Sequence, residues 1–166
     1  MEHMFSDKQI EPNKNHLSYE YIRGLAEGEG CFTFYSGWKK PNGRKYKMPG
    51  FALAMNERDL ELLKLVKDGL GLRNRIYFRG TGYIGKNGKS TGKVAVLVVR
   101  EFDQLKDIII PFFYKKLVGY KGVQFMDWLE KIGTNPDVSN RYKSLYRLYK
   151  WGMYDKLPKF TEKFKD

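Results

Sequence analysis

The chain has 166 residues, with 31 Lys+Arg against 19 Asp+Glu, for a net charge of +12. A hydrophobic share of 42%, with 16% aromatic, supports one packed domain and excludes wholesale disorder. The basic excess points to a polyanion, nucleic acid before an anionic membrane, and no apolar run approaches the roughly 18–20 residues of a membrane span.

Residues 1–15 are polar and without period, and read as an arm with no apolar core of a secretory signal. His3 and His16 lie there or just after it and read as solvated side chains rather than zinc ligands. Ser18 has the place of a helix cap, between Leu17 and Ile22, and Ile22, Leu25, Ala26 and Glu29 follow on one helical face. "CFTFYSGW" alternates like a strand; "PNGR" is a turn and "YKMPGFALAM" the return strand, with Pro49-Gly50 marking an edge, bulge or bend. Asn56 caps the next helix, whose stripe is Leu60, Leu63, Val66 and Leu70 and whose stop is Gly71. "RNRIYFRGTGYIG" and "GKVAVLVVR" form a second hairpin around a turn carrying Lys86 and Lys89. "EFDQLKDIII" reads as a short helix halted by Pro111, "LVGYKGVQFMDWLEKIG" as a longer one ended by Gly133, and "VSNRYKSLYRLYKW" as a last amphipathic helix. The fold class is α+β with antiparallel strands. An arm over 1–15, one domain over 16–155 and a frayed basic tail over 156–166 complete it. Single Cys31 excludes an internal disulfide and favours a reducing, intracellular home, cytoplasmic or organellar.

The hairpins concentrate basic, hydroxyl and aromatic residues, a mixture suited to phosphate contacts and base edges in a major groove. Candidate contacts are Thr33, Tyr35, Lys39, Arg44, Tyr46, Arg75, Tyr77, Arg79, Thr81 and Lys93. Glu27 and Glu29 are the anomaly. They sit at the helix C-terminus, the wrong end for acids, and about 200° apart around the helix. Gly24 and Gly28 leave one side of that helix flat, at a helical cost that a close contact would offset. Glu29 continues the apolar stripe. A divalent cation would neutralise both the carboxylate and the helix end, whose free carbonyls are hard oxygen ligands. Solvated acids at a helix end are the plain alternative.

"IRGLAEGEG", Ile22 to Gly30, resembles the signature of the LAGLIDADG homing endonucleases. Gly24, Leu25 and Gly30 match it. Ala26 stands for its isoleucine, Gly28 for its second small residue, and Glu27 and Glu29 for its two aspartates; Arg23 departs from its usual alanine. The element order αββαββα agrees, as does "IPFFYKKLVGYKGVQF", similar to the family's proline-and-lysine segment; the resemblance covers roughly residues 17–132. It implies an αββαββα core whose antiparallel sheet forms a DNA-binding saddle, with helices added at the C-terminus. One motif copy implies an intron-encoded homodimer making a staggered double-strand cut at a long pseudo-palindromic site. Gly24, Ala26, Glu27 and Gly28 would lie at the dimer interface, with Glu27 capping its neighbour's helix. Glu29, with the Gly28 carbonyl, would hold Mg²⁺. Lys116, or Lys115 beside it, would position water or stabilise phosphate charge. The place of the family's water-organising glutamine falls at Met55, which cannot do the job, and Asn56, which can but is also a cap. The rival expectations are a catalytically silent binder (an RNA maturase or a DNA-binding regulator) and, further off, a basic structural or ribosome-associated protein.

Overall fold

The computed structural model describes residues 16–80 and 92–165. The N-terminal arm and the second hairpin's turn, with Thr81, Lys86 and Lys89, lie outside the described residues. Helix α1 runs Tyr19–Glu29, and the Ser18 hydroxyl accepts the Tyr21 N–H at 3.0 Å. At about 100° per residue, Ile22, Arg23 and Ala26 share one side of α1, which is buried. Strands β1 (Gly30–Lys39) and β2 (Lys45–Asn56) form the first hairpin. Pro49 lies outside the part of β2 that β4 pairs, Phe51 to Asn56, so its missing N–H leaves no gap in the β4 ladder. A capped turn, Glu57–Asp59, leads into α2 (Leu60–Leu70), which buries Leu63, Val66 and Leu70 and ends at Gly71 with φ +70°. Strands β3 (Ile76–Arg79) and β4 (Val94–Val99) complete an antiparallel sheet of order β1-β2-β4-β3.

Register sets the two faces. Phe32 opposite Phe51, Phe51 opposite Val99, and Leu53 opposite Leu97 line the face covered by helices. The opposite face is open.

Pro111 does not end the helix after β4. The run continues as α3 (Phe102–Gln104), a wide π turn (Leu105–Ile109) and α4 (Ile110–Phe113). Pro111 lies inside this continuous run, where it can donate no N–H; the Asp107 carbonyl four residues before it accepts Lys163 Nζ at 2.9 Å, and the π turn re-phases the helix ahead of it. Ile109, Ile110, Phe112 and Phe113 are all fully buried as a result. Helix α5 (Tyr120–Thr134) likewise passes through Gly133. That glycine is a packing site: a Cβ there would lie 2.2 Å from Tyr146 Cγ of α6 (Asn140–Lys150).

The C-terminal segment is not a frayed tail. Helices α7 (Met153–Lys156) and α8 (Pro158–Thr161) fold back, and Tyr154, Phe160 and Phe164 join the core. Arg23 explains its own presence on α1 here. Its guanidinium donates to the Phe112 carbonyl at 2.9 Å and the Phe164 carbonyl at 3.3 Å, pairs with Glu20 at 3.0 Å, and stacks 4.4 Å over the Phe112 ring.

Asp137, in the α5–α6 loop, ties that loop to the first hairpin. It accepts Lys40 Nζ at 2.9 Å and Arg44 Nη2 at 2.7 Å. The Lys40 hydrogen bond, with the Arg44 charge beside it, holds its carboxyl below the usual carboxylate range. A carboxyl lowered on folding contributes stability above its unfolded pKa and loses it as pH falls through the folded one. Asp137→Asn should therefore unfold at lower urea than the wild type at pH 7, with the gap closing below about pH 3. An equal gap at both pH values would contradict this.

Candidate functional site

Alternation places Thr33 and Tyr35 on the open face, since Phe32 and Phe34 pack on the core. Tyr46 shares the parity of Met48, the partner of Tyr35, and so lies on that face. On the other edge Ile76 pairs with Leu97 on the covered side, which puts Tyr77 and Arg79 outward. Arg75, Tyr77 and Tyr35 line one cleft there with Arg100, a residue the sequence reading passed over. Arg100 Cζ lies 5.6 Å from the Tyr35 ring centre. Its signal was present: Val94, Val96, Val98 and Arg100 share one parity. Burial, then the neighbouring Tyr77, pushes the Tyr35 phenol up. Lys39 lies past a register irregularity after Ser36, so alternation assigns it no face; Lys93 is exposed beside β4. Arg44 is occupied by Asp137 rather than standing free on the sheet.

The pairing of Gly30 with Leu53 brings the end of α1 to the edge of this face, near the end of β2. Gly30 is required for the close approach: a Cβ would lie 2.7 Å from Ala26 O and 3.0 Å from Phe51 Cε2. Glu29 continues the angular stripe of Ile22, yet it is exposed, not buried. The core stops at Gly30, and the carboxylate projects past it. Among the described residues, no hydrogen bond or ion pair reaches that carboxylate.

Glu27 does different work. Its carboxylate accepts the N–H groups of Val118 and Gly119, the latter at 2.9 Å, at the entry to α5. The cap is thus formed within its own chain, not on a neighbour's helix. Gly119 leaves room for it, because a Cβ there would lie 2.6 Å from Glu27 Oε2. Lys121 Nζ donates to the Gly30 carbonyl at 2.6 Å and closes the same junction. The segment carrying Lys115 and Lys116 is held beside Glu27 to Gly30 in this way. The two lysines differ. Lys115 Nζ pairs with Asp155 at 2.7 Å, whereas the exposed Lys116 ammonium has no partner among the described residues.

Asn56 Oδ1 accepts the Arg58 N–H at 3.0 Å, so its acceptor serves the cap, and Met55 packs on the core. Ala26 is 1% exposed and belongs to this chain's own core; lying about 200° from Gly24 and Gly28, it cannot share their face. Those glycines are exposed, a Cβ at either would meet nothing within 4 Å, and Tyr21 beside them is 49% exposed. Among the described residues, nothing covers the outward face of α1. No cluster of three or more His, Cys, Asp or Glu that could hold a metal is present among the described residues. No described helix is long and apolar enough to cross a membrane. Glu27→Ala should destabilise the fold by about 0.5–2 kcal/mol in urea unfolding, by orphaning two amides. An unchanged midpoint would show that the cap contributes nothing.

A sequence profile described as LAGLIDADG endonuclease matches residues 22–132. The homing endonuclease I-TnaI is similar in fold at 18% identity and TM-score 0.56, over 82% of this chain and 99% of that one. The LAGLIDADG homing endonuclease I-GzeII, solved in complex with its DNA target, is 28% identical at TM-score 0.52, over 82% of this chain and 44% of its own. The LAGLIDADG meganuclease I-CpaMI, bound to uncleaved DNA, is 22% identical at TM-score 0.58, over 89% and 45%. This chain thus spans all of the first and about half of the other two. With the motif on α1, the antiparallel sheet and a profile match over more than half its length, the chain belongs to the LAGLIDADG endonuclease family.

Proposed function

We propose that the protein is a site-specific, Mg²⁺-dependent homing endonuclease that acts as a homodimer and makes a staggered cut in a long pseudo-palindromic duplex. The observation that carries this reading is Glu29: an exposed carboxylate, unpaired among the described residues, where a glycine-faced helix meets a basic sheet face. The acid is unfavourable at that helix end unless a cation joins it.

The open face supplies the grip. Arg75, Arg79 and Arg100 suit phosphates, and Thr33, Tyr35, Tyr46 and Tyr77 suit base edges in the major groove. I-GzeII, seen with its DNA target, supports duplex DNA as the ligand. This chain matches 44–45% of I-GzeII and I-CpaMI, which supports two copies acting together. The bare face around Gly24 and Gly28 is where two α1 helices would meet.

The Glu29 carboxylate and the carbonyl of Gly28 are hard oxygen donors that fit Mg²⁺, with phosphate oxygens completing the set. When bound, the cation lowers the pKa of water and stabilises charge on the reacting oxygens. Lys116, on the segment that leads into α5 and without a partner among the described residues, would orient the attacking water or offset charge on the phosphate. Each copy would cut one strand. One observation favours the alternative of a silent nucleic-acid binder, on DNA or RNA: the Asn56 amide oxygen is engaged as a cap and Met55 is apolar, so the end of β2 has no side-chain acceptor outside that cap for organising water.

Cleavage decides between them. Incubated with duplex DNA of its coding locus lacking the intervening element, the wild type should cut with Mg²⁺ and not without. Glu29→Gln should lower cleavage at least about a hundredfold while duplex affinity stays within about threefold; cutting by Glu29→Gln at the wild-type rate would refute the assignment. Gly24→Leu should fold at least as stably as the wild type, given open space for the side chain, yet be monomeric by light scattering. A dimeric Gly24→Leu would overturn the packing of α1 against α1.

A further inference from the structure

Trp38 is 88% exposed, yet it stands inside strand β1 rather than in a loop. An isolated exposed apolar side chain is ordinary on a protein surface. The backbone around this one is not. Ser36 pairs with Lys47 and Lys39 with Lys45, so Gly37 and Trp38 together oppose the single residue Tyr46. That is a β-bulge, a device that re-aims a side chain. Ser36 and Lys47 share the covered parity of Phe32 and Phe51, and Lys47 Nζ bonds Ser36 Oγ at 2.8 Å. Gly37 follows Ser36 and turns to the open face, where a Cβ on it would lie 3.4 Å from Met48 Cε and 3.7 Å from Tyr46 Cβ. Counting along β1 stops at the irregularity, but pairing resumes at Lys39 with Lys45, which has the covered parity again. Trp38, one residue before that pair, therefore turns to the open face as well. Unbroken alternation from Phe32 and Phe34 would have put it on their side. The bulge thus transfers an indole from the core side to the side of Tyr35, Tyr46 and Tyr77.

The hairpin tip that carries Trp38 is braced. The Lys40 N–H donates to the Arg44 carbonyl at 2.6 Å and the Gly43 N–H to the Lys40 carbonyl at 3.0 Å, and Asp137 holds both basic side chains from the α5–α6 loop. The Lys40 ammonium also sits 5.3 Å from the Tyr46 ring centre. Trp38 takes no part in this: among the described residues its ring meets no other aromatic ring and no cation. Trp128, by contrast, is buried, and its indole donates to the Thr33 carbonyl at 2.9 Å. Lys39, Lys40, Arg44, Lys45 and Lys47 crowd the tip, with Asp137 as the carboxylate bonded there, so the field around Trp38 attracts phosphate.

We infer that Trp38 is a specificity-determining residue that packs its indole on the C5-methyl group of a thymine in the major groove. The inference rests on the reading of the open face as a grip on duplex DNA. The chemistry selects the base. An indole offers an apolar surface and one donor, and the thymine methyl is the apolar group that base pairs present in that groove. The strand selects the position. Trp38 lies eight residues along β1 from Gly30, at the Glu29 end, or about 26 Å at roughly 3.3 Å per residue. At about 3.4 Å of duplex per base pair, that is about six to eight base pairs from the cut, the smaller figure for a strand oblique to the duplex axis. A tip already fixed by Asp137 gives up little further freedom on binding.

The test needs binding alone and uses the full chain without Mg²⁺. Wild type and Trp38→Ala each select duplexes from a randomised pool, and affinities are measured on the duplex the wild type selects. The wild type should prefer thymine at one outer position of each half-site; Trp38→Ala should keep the preferences elsewhere and lose that one. Replacing this thymine by deoxyuridine, which removes only the methyl, should weaken the wild type about fourfold and Trp38→Ala less than about 1.5-fold. Because its side chain is exposed, Trp38→Ala should unfold at the wild-type urea concentration, which separates a lost contact from a lost fold. The slope of log affinity against log salt should be equal in the two proteins, because no charge is removed. An unchanged base preference in Trp38→Ala, an equal deoxyuridine penalty in both proteins, or a wild type indifferent to the methyl would each overturn the inference and leave the DNA reading standing. A wild type that selects no duplex would sink the grip on DNA and the inference with it. One that shows the methyl preference but fails to cut when Mg²⁺ is added would uphold the inference and sink only the nuclease chemistry.

Discussion

The junction between the end of α1 and the entry to α5 governs this molecule. Glu27 accepts two amides across it, and Lys121 returns a bond to the Gly30 carbonyl. Both contacts bridge about ninety residues of sequence, so a single closure fixes elements that folding must bring together from afar. Its consequence is local and chemical. Glu29, at the end of α1, and Lys116, in the segment that leads into α5, are both exposed and without a partner among the described residues. Each of their neighbours, Glu27 and Lys115, has its charge occupied inside the chain. The pairing is thus divided: one member of each couple builds structure and the other is left available.

The same division runs through the basic residues. Arg23, Lys40 and Arg44 serve the fold, through carbonyls and Asp137. Arg75, Arg79 and Arg100 lie with Tyr35 and Tyr77 on the face that no described helix covers. A net charge of +12 is therefore not an even coat. Aromatic packing braces the other side of the sheet, with the Phe32 ring centre 5.0–5.4 Å from those of Phe51, Phe113, Phe125 and Trp128.

Much of this was legible in the chain. Period-two alternation in "CFTFY" and the returning strand gave the faces of the first hairpin, and Ser18, Asn56 and Gly71 marked helix ends through local chemistry. The misses share a cause. Pro111 and Gly133 break helices by intrinsic preference, but a π turn and the Tyr146 ring override it, and both are tertiary effects. The C-terminal segment reads as a charged tail because its three core residues, Tyr154, Phe160 and Phe164, are spaced between lysines. At the site, Glu29 could be singled out from its angle and its wrong-end charge. The task of Glu27 could not be, because Val118 and Gly119 lie ninety residues on and their amides carry no sequence signal.

The central claim is that two copies of this chain bring one Glu29 each to a cation on a shared duplex. The most direct measurement is a crystal structure of the protein with its selected duplex and a divalent cation located by anomalous scattering. The account predicts two protomers related by a twofold between their α1 helices, each Glu29 carboxylate ligating the cation beside a phosphate. A single protomer on the DNA, or a cation held without Glu29, would contradict it.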